Sequence, residues 1–326
     1  MFKLENCIKD ITYYKYNEEM KNTINIGYGI DDNYARCMAT SIVSFCVNNM
    51  DKNFTFHVMA YNFSNKTKIN LKILAQNYHI NIYIYEIDPL YLKEKLPTRK
   101  YLPIATYFRF ILPIIIKNID KIFYIDADII CLKNAQELFD IPIDNYIIGA
   151  VSDIKRMNVE RNLALGLKEH VYFNAGVLAI NIKKWNSFNT YSKVINCLIR
   201  NPEKFSFLDQ DALNFVLTKR IKYLSNKFNC IDLNTIDNKK DIVLLHFAAN
   251  PKPWHLAWSV NPQCNDFNAM LYQKYESLTP YKNECLILPR DYKEIEYYSK
   301  NLRKKGFYRK SFEWYIKYIV AKLKHN

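Results

Sequence analysis

Two carboxylates, Asp126 and Asp128, stand two positions apart in the apolar run "KIFYIDADIIC" at residues 121–131. Such a run builds a buried strand, and a buried carboxylate is costly unless a partner compensates its charge. On an extended chain the two Cα atoms lie about 6.8 Å apart and both side chains leave the same side, so one ion or its waters can engage both. Hard oxygen ligands suit Mg²⁺ or Mn²⁺, and an ion held by few carboxylates keeps positions for substrate phosphates. The competing reading is a turn at a strand end, with Asp126 capping the amides of Ala127 and Asp128. The pair alone leaves both readings open.

Two other stretches carry residues of the same kind. In "GYGIDDN" a G-x-G follows a strand, but Asp32 stands where a dinucleotide fingerprint has a glycine, and two acids crowd the approach of a pyrophosphate. NAD is therefore disfavoured. Asp31 and Asn33 can instead hydrogen-bond a base edge, with Tyr34 as a stacking face; a capping turn that opens a helix competes with this. In "HFAANPKPWHLAW", His246 can serve as a third metal ligand, and Lys252 between two prolines is a point charge suited to a phosphate. A histidine after a strand is also commonly structural.

These residues need elements to position them. Residues 23–30, 54–61, 80–87 and 121–131 read as strands, separated by "DDNYARCMATSIVSFCVNN", "KTKINLKILAQNY" and "TYFRFILPIIIKNI" at helical spacing. Alternation of this kind predicts an α/β fold, a parallel sheet with helices on both faces. Ligands of such sheets sit beyond the carboxyl ends of the strands, where both "GYGIDDN" and "IDAD" fall. Further strands are expected at 147–151, 171–181 and 241–249, and a helix around "DQDALNFVLTKR".

The chain has 326 residues, 49% of them hydrophobic, enough to bury a large core and to exclude disorder. Its formal net charge of +14 points to an anionic partner: nucleic acid, an acidic membrane face or a phosphorylated substrate. The 8 cysteines contain no C-x-x-C pair, which argues against a zinc site or disulfide scaffold and favours a reducing cytoplasm. The N-terminus lacks the continuous apolar run of a secretory signal, and no stretch approaches a bilayer span. A cytoplasmic protein, soluble or peripheral, is expected.

Taken together, "NIGYGIDDNY", "ATYFRFILP", "FYIDADII", "YFNAGVLAIN", "LDQDALN" and "HFAANPKPWH" resemble glycosyltransferase family 8, nearest to the bacterial lipopolysaccharide core glucosyl- and galactosyltransferases. The resemblance implies a GT-A fold and a retaining, metal-dependent hexosyltransferase using UDP-glucose or UDP-galactose. It implies that Gly29, Asp31, Asn33 and Tyr34 form the uridine pocket. Asp126, Asp128 and His246 would hold Mn²⁺ (or Mg²⁺), with Lys252 on the diphosphate. Arg109, Asp153, Asn174, Asp209 and Gln210 would surround the donor hexose, Asp153, Asp209 and Gln210 nearest the chemistry. The sequence departs from the family pattern at 249, where Ala replaces Gly.

The resulting division is an N-terminal extension (1–22), a GT-A catalytic domain (23–260) and a C-terminal region (261–326). From Lys300 on, nine Lys/Arg face one acid, Glu313. In "SFEWYIKYIVAKLK", Phe312, Ile316, Ile319 and Leu323 share one helical face, with Trp314, Tyr315 and Tyr318 alongside. A tail of about 298–326 is thus expected to lie on an anionic membrane, here the inner face of the cytoplasmic membrane, close to a lipopolysaccharide core acceptor. No nucleic acid is expected, since no recognition motif accompanies the charge. The alternatives are a catalytically degenerate nucleotide-binding relative and a family 8 transferase with a non-lipopolysaccharide acceptor.

Overall fold

The computed structural model describes residues 7–16, 22–88, 96, 104–116, 118–168, 170–231, 239–248, 250–261 and 264–325. Among them are ten strands: β1 (Ile8–Tyr14), β2 (Ile24–Asp31), β3 (Phe54–Tyr61), β4 (Asn81–Ile87), β5 (Lys121–Ile125), β6 (Ile129–Cys131), β7 (Ile148–Ser152), β8 (Phe173–Asn181), β9 (Ile221–Leu224) and β10 (Leu244–His246). Eight form one sheet in the order β1-β4-β3-β2-β5-β8-β7-β9, and β10 pairs with β6 in a second. The chain divides into two compact units, residues 1–246 and 247–326.

The centre of the large sheet is parallel, β4-β3-β2-β5. Strand β3 is buried along nearly its whole length, as a strand covered on both faces must be. The helices Ala35–Asn48 and Asn65–Tyr78 follow β2 and β3 as their apolar spacing requires. Beyond β5 the sheet is mixed: β8 runs antiparallel to both β5 and β7, and β9 is parallel to β7. The sheet is therefore mostly parallel, as expected, with β8 the antiparallel strand beside its parallel centre.

Three local expectations are corrected. Within the N-terminal extension Ile8–Tyr14 forms a strand of the sheet, because β1 pairs antiparallel with β4. The stretch 121–131 is two strands, because the chain turns at Asp126–Asp128, where the Ile129 amide bonds the Asp126 carbonyl at 3.2 Å. In 241–249 only Leu244–His246 is strand, paired with β6, after a 3-10 turn at Lys239–Asp241; Ala249 lies outside the described residues.

The G-x-G of β2 has a packing cause. A Cβ on Gly27 would lie 2.1 Å from Leu112 Cδ2, and one on Gly29 would lie 2.8 Å from Phe108 Cβ. The two glycines leave β2 smooth enough for the helix Phe108–Ile115 to press against it. Because β2 and β5 are parallel neighbours, Asp31 and Asp126 both lie at the carboxyl-end edge of the sheet.

The second unit begins at Phe247, earlier than the expected boundary after 260. It contains the helices Asp266–Glu276, Tyr292–Lys304 and Tyr308–Leu323. The last two form a hairpin tied by reciprocal bonds, Ser299 Oγ to the Ser311 carbonyl (2.8 Å) and Ser311 Oγ to the Ser299 carbonyl (2.9 Å). Tyr298 and Leu302 pack with Val260 and Trp314. Among the described residues no helix is long and apolar enough to cross a membrane.

Candidate active site

The pairing of β6 with β10 delivers the third member of a cluster to the first two. His246 lies opposite Ile129, one residue beyond Asp128. The result is an approach of 3.2 Å between His246 Nε2 and Asp128 Oδ1. Ligand atoms of Asp126, Asp128 and His246 all lie within 4.8 Å of one another. Two carboxylates and one imidazole are donors that Mn²⁺ accepts, and that Mg²⁺ accepts less readily through the nitrogen. The place of the imidazole is reserved by Gly176, where a Cβ would stand 2.5 Å from His246 Cε1. The residues thus fit a divalent cation. The capping role considered for Asp126 is replaced by a charged one: Asp126 Oδ1 accepts from Arg109 Nη2 at 3.0 Å.

Arg109 is buried and binds on every side. Its Nε pairs with Asp209 Oδ2 at 3.0 Å, its Nη1 donates to the Ala175 carbonyl at 2.6 Å, and its guanidinium lies 4.7 Å from the Tyr124 ring centre. Burial opposes its charge, yet Asp126 and Asp209 hold the proton on more firmly than in water. For Asp209 burial dominates: the carboxyl is pushed up to about 6, with Arg109 pulling it down and Asp126 adding to the rise. The structure therefore places Arg109 as a bridge between the cation cluster and Asp209.

A second network adjoins the first. Gln210 Nε2 donates to Asp153 Oδ2 (2.9 Å) and to the Tyr172 hydroxyl (3.2 Å), while its Oε1 accepts from Asn174 Nδ2 (3.1 Å) and the Ala175 amide (3.0 Å). Asp153 also accepts from the Ile154 amide at 2.7 Å. The cause is a bulge: pairing along β7 jumps from Leu178 to Asn174 between Ala150 and Val151. Bulges re-aim side chains and free backbone groups, and here the freed groups of Ala175 and Gly176 bind Arg109, Gln210 and the Asp126 amide. Alongside lies a cavity of about 340 Å³ lined by Asp153, Lys155, Asn158, Asn226 and Asn229 among others.

At the mouth of β2, Asp31 accepts from the Asn33 amide (3.0 Å) and side chain (3.3 Å), and so caps the 3-10 turn Asp32–Tyr34. Asp32 binds Ser64, the N-cap of Asn65–Tyr78. Burial and the charges of Asp128, Asp31 and Asp126 push the Tyr34 hydroxyl upward. Lys252 belongs to the second unit; it is buried there and donates to the Phe247 carbonyl.

The sequence profile of glycosyl transferase family 8 matches residues 25–257, and that of the family 8 C-terminal region matches 268–322. The chain belongs to glycosyl transferase family 8. It is 31% identical to lipopolysaccharide 1,3-galactosyltransferase of Salmonella typhimurium over 98% of this chain and 97% of that one. It is 28% identical to lipopolysaccharide glucosyltransferase WaaO of Escherichia coli K12, over 99% and 98%. Among solved structures the galactosyltransferase LgtC, crystallised with donor and acceptor sugar analogs, superposes with a TM-score of 0.69 at 23% identity, covering 79% of this chain and 96% of that one. The fold is accordingly GT-A.

Within this family 8 chain, sequence reasoning missed Gly176, Tyr172, Thr106 and Asn229. Gly176 had a signal, a glycine inside an otherwise bulky strand, which marks a bulge or a close approach. A Gly176→Ala variant is expected to displace His246 and weaken Mn²⁺ binding about 10–100-fold while the fold is retained. Isothermal titration with Mn²⁺ beside a circular dichroism spectrum checks this; parent-like affinity would show that the ring is not confined by Gly176.

Proposed function

We propose that the protein transfers glucose or galactose from a UDP-hexose, with retention of configuration, to a lipopolysaccharide core acceptor, assisted by Mn²⁺ or Mg²⁺. The observation that carries this reading is the convergence of Asp126, Asp128 and His246 beside the Asp153–Asn174–Gln210 network. Near full-length similarity to lipopolysaccharide galactosyl- and glucosyltransferases supports the acceptor class.

Cleavage of the anomeric bond creates a positive ring and a diphosphate whose charge grows. Asp126, Asp128 and His246 would hold a divalent cation, which would supply positive charge to that leaving group. Arg109 holds Asp126 in place and offsets the negative charge of the cluster. Asp153, oriented by Gln210 and Asn174, offers a carboxylate to the hexose and its developing positive charge. The route of retention we favour is a short-lived ion pair with attack on the same face. Asp209 is a poor nucleophile: it is 4% exposed, with one oxygen on Arg109 and the other on Thr106 Oγ1 at 3.3 Å. Gln210 is an uncharged amide whose oxygen already accepts two bonds.

A panel of UDP-glucose, UDP-galactose and UDP-N-acetylhexosamines with Mn²⁺ identifies the donor by thermal shift. The cognate sugar at a hundredfold excess over Kd stabilises by about 2.7 kcal/mol. A flat panel would remove the UDP-hexose reading.

We also place the protein on the inner face of the cytoplasmic membrane through its last helix. Along Tyr308–Leu323, Phe312, Ile316, Ile319 and Leu323 are exposed, and Ser311 is the residue buried. Arg309, Lys310, Lys317 and Lys322 accompany this apolar stripe. Such a helix lies in the interface of an anionic bilayer, each cation near the surface contributing about 1 kcal/mol. Co-sedimentation with phosphatidylglycerol vesicles is expected for the protein and lost in Phe312→Asp/Leu323→Asp; equal binding by both would refute the placement.

A further inference from the structure

The polarity of three side-chain amides, those of Gln210, Asn174 and Asn229, can be read from the backbone outward. A backbone N–H can only donate. The Ala175 amide donates to Gln210 Oε1 at 3.0 Å, which turns the Gln210 carbonyl toward the β8 bulge and its NH₂ toward Asp153. The Gly176 amide donates to Asn174 Oδ1 at 2.9 Å, which leaves Asn174 Nδ2 to donate to Gln210 Oε1. Asn174 Oδ1 faces Asn229 at 2.8 Å, and an acceptor there requires that Asn229 present its NH₂. The remaining atom, Asn229 Oδ1, then faces His246 Nδ1 at 2.9 Å. A carbonyl oxygen cannot donate, so the hydrogen of this contact is on Nδ1.

The opposite orientation of Asn229 would set its oxygen against Asn174 Oδ1, two acceptors in contact at a site where Asn229 is 3% and Asn174 9% exposed. A buried polar pair left unsatisfied costs about 1–3 kcal/mol. The network therefore selects one arrangement. In it His246 carries a hydrogen on Nδ1 and turns Nε2 to Asp128.

We propose that Asn229 is a positioning residue that relays the direction of the two bulge amides to His246, holding the imidazole as its Nδ1–H tautomer with the Nε2 lone pair aimed at the cation. The inference rests on the cation reading of Asp126, Asp128 and His246. Outer partners of this kind orient metal-binding imidazoles and raise their basicity. The same relay ties the cation cluster to the Gln210–Asp153 network by direct bonds through Asn174.

The decisive experiment is a two-bond ¹⁵N–¹H spectrum of the metal-free full-length protein with labelled histidine. It is recorded at a pH at which the spectrum itself shows a neutral ring, and His246 is assigned with a His246→Asn variant. A pyrrole-type Nδ1 with a pyridine-type Nε2 is the expected result; a hydrogen on Nε2 overturns the proposal without any variant of Asn229. Next, Asn229→Leu should release the tautomer and weaken Mn²⁺ binding, read by electron paramagnetic resonance, about 10–100-fold. Asn229→Asp keeps an acceptor facing Nδ1 and should keep the Nδ1–H form, although it sets a second oxygen against Asn174 Oδ1 and so should lower stability. A folded Asn229→Leu protein with parent-like tautomer and Mn²⁺ affinity overturns the relay. Failure of the parent to bind Mn²⁺ would remove the cation reading, while the metal-free spectrum still decides the tautomer.

Discussion

Replacement of Asp128 by alanine is expected to lower Mn²⁺-dependent release of UDP from the cognate donor by a factor on the order of 10³, equivalent to several kcal/mol of transition-state stabilisation. The size follows from the geometry. Asp128 is one of three side chains in the cluster, and its Oδ1 lies 3.2 Å from His246 Nε2, so its loss removes a ligand and the partner facing another. Asp126 cannot take over, because its Oδ1 is engaged by Arg109. A release assay under saturating Mn²⁺, with the variant's thermal midpoint as a control for folding, measures the effect. Undiminished turnover in Asp128→Ala would remove Asp128 from the mechanism.

The second large effect is on stability. Arg109→Met leaves Asp126 and Asp209 facing each other without the cation that joins them, and orphaned members of a buried ion pair cost about 3–5 kcal/mol. Asp209, already pushed up to about 6 with Arg109 present, loses the group that lowers it and takes up a proton more readily. The thermal midpoint should fall by roughly 6–20 °C. Adding Asp209→Asn removes one orphan and should recover part of the loss. A Met variant within about 1 kcal/mol of the parent would show that Arg109 is not the bridge of the site.

Much of the site was legible because its chemistry sits at strand ends. "IDAD" and "HFAANPKPWH" announce themselves as polar groups after apolar strands, and the structure brings Asp126, Asp128 and His246 together. Arg109, Asp153, Asn174, Asp209 and Gln210 likewise fall in two contiguous networks, although Arg109 proves to bridge two carboxylates. What stayed hidden depends on long-range pairing. Nothing local in "KFNCID" distinguishes Asn229 from any loop asparagine, since its role arises only when Cys230 bridges to Leu245 and sets Asn229 beside His246. The break at Asp126–Asp128 was masked by the strand-forming residues on either side. The antiparallel β8 was invisible for a related reason: a strand buried on both faces carries no mark of its direction, and the register that creates its bulge is set by β7. Strand β1 was passed over because its sequence, IKDITYY, is largely exposed and lacks a strong hydrophobic run.

The central claim is that Asp126, Asp128 and His246 hold a divalent cation on which hexosyl transfer from a nucleotide-sugar depends. The most direct measurement is UDP release from the cognate UDP-hexose by protein stripped with EDTA, followed through a titration with Mn²⁺. Loss of release after stripping and its saturable return as Mn²⁺ is added are expected. Release that continues unchanged in EDTA, with no response to Mn²⁺, would contradict it.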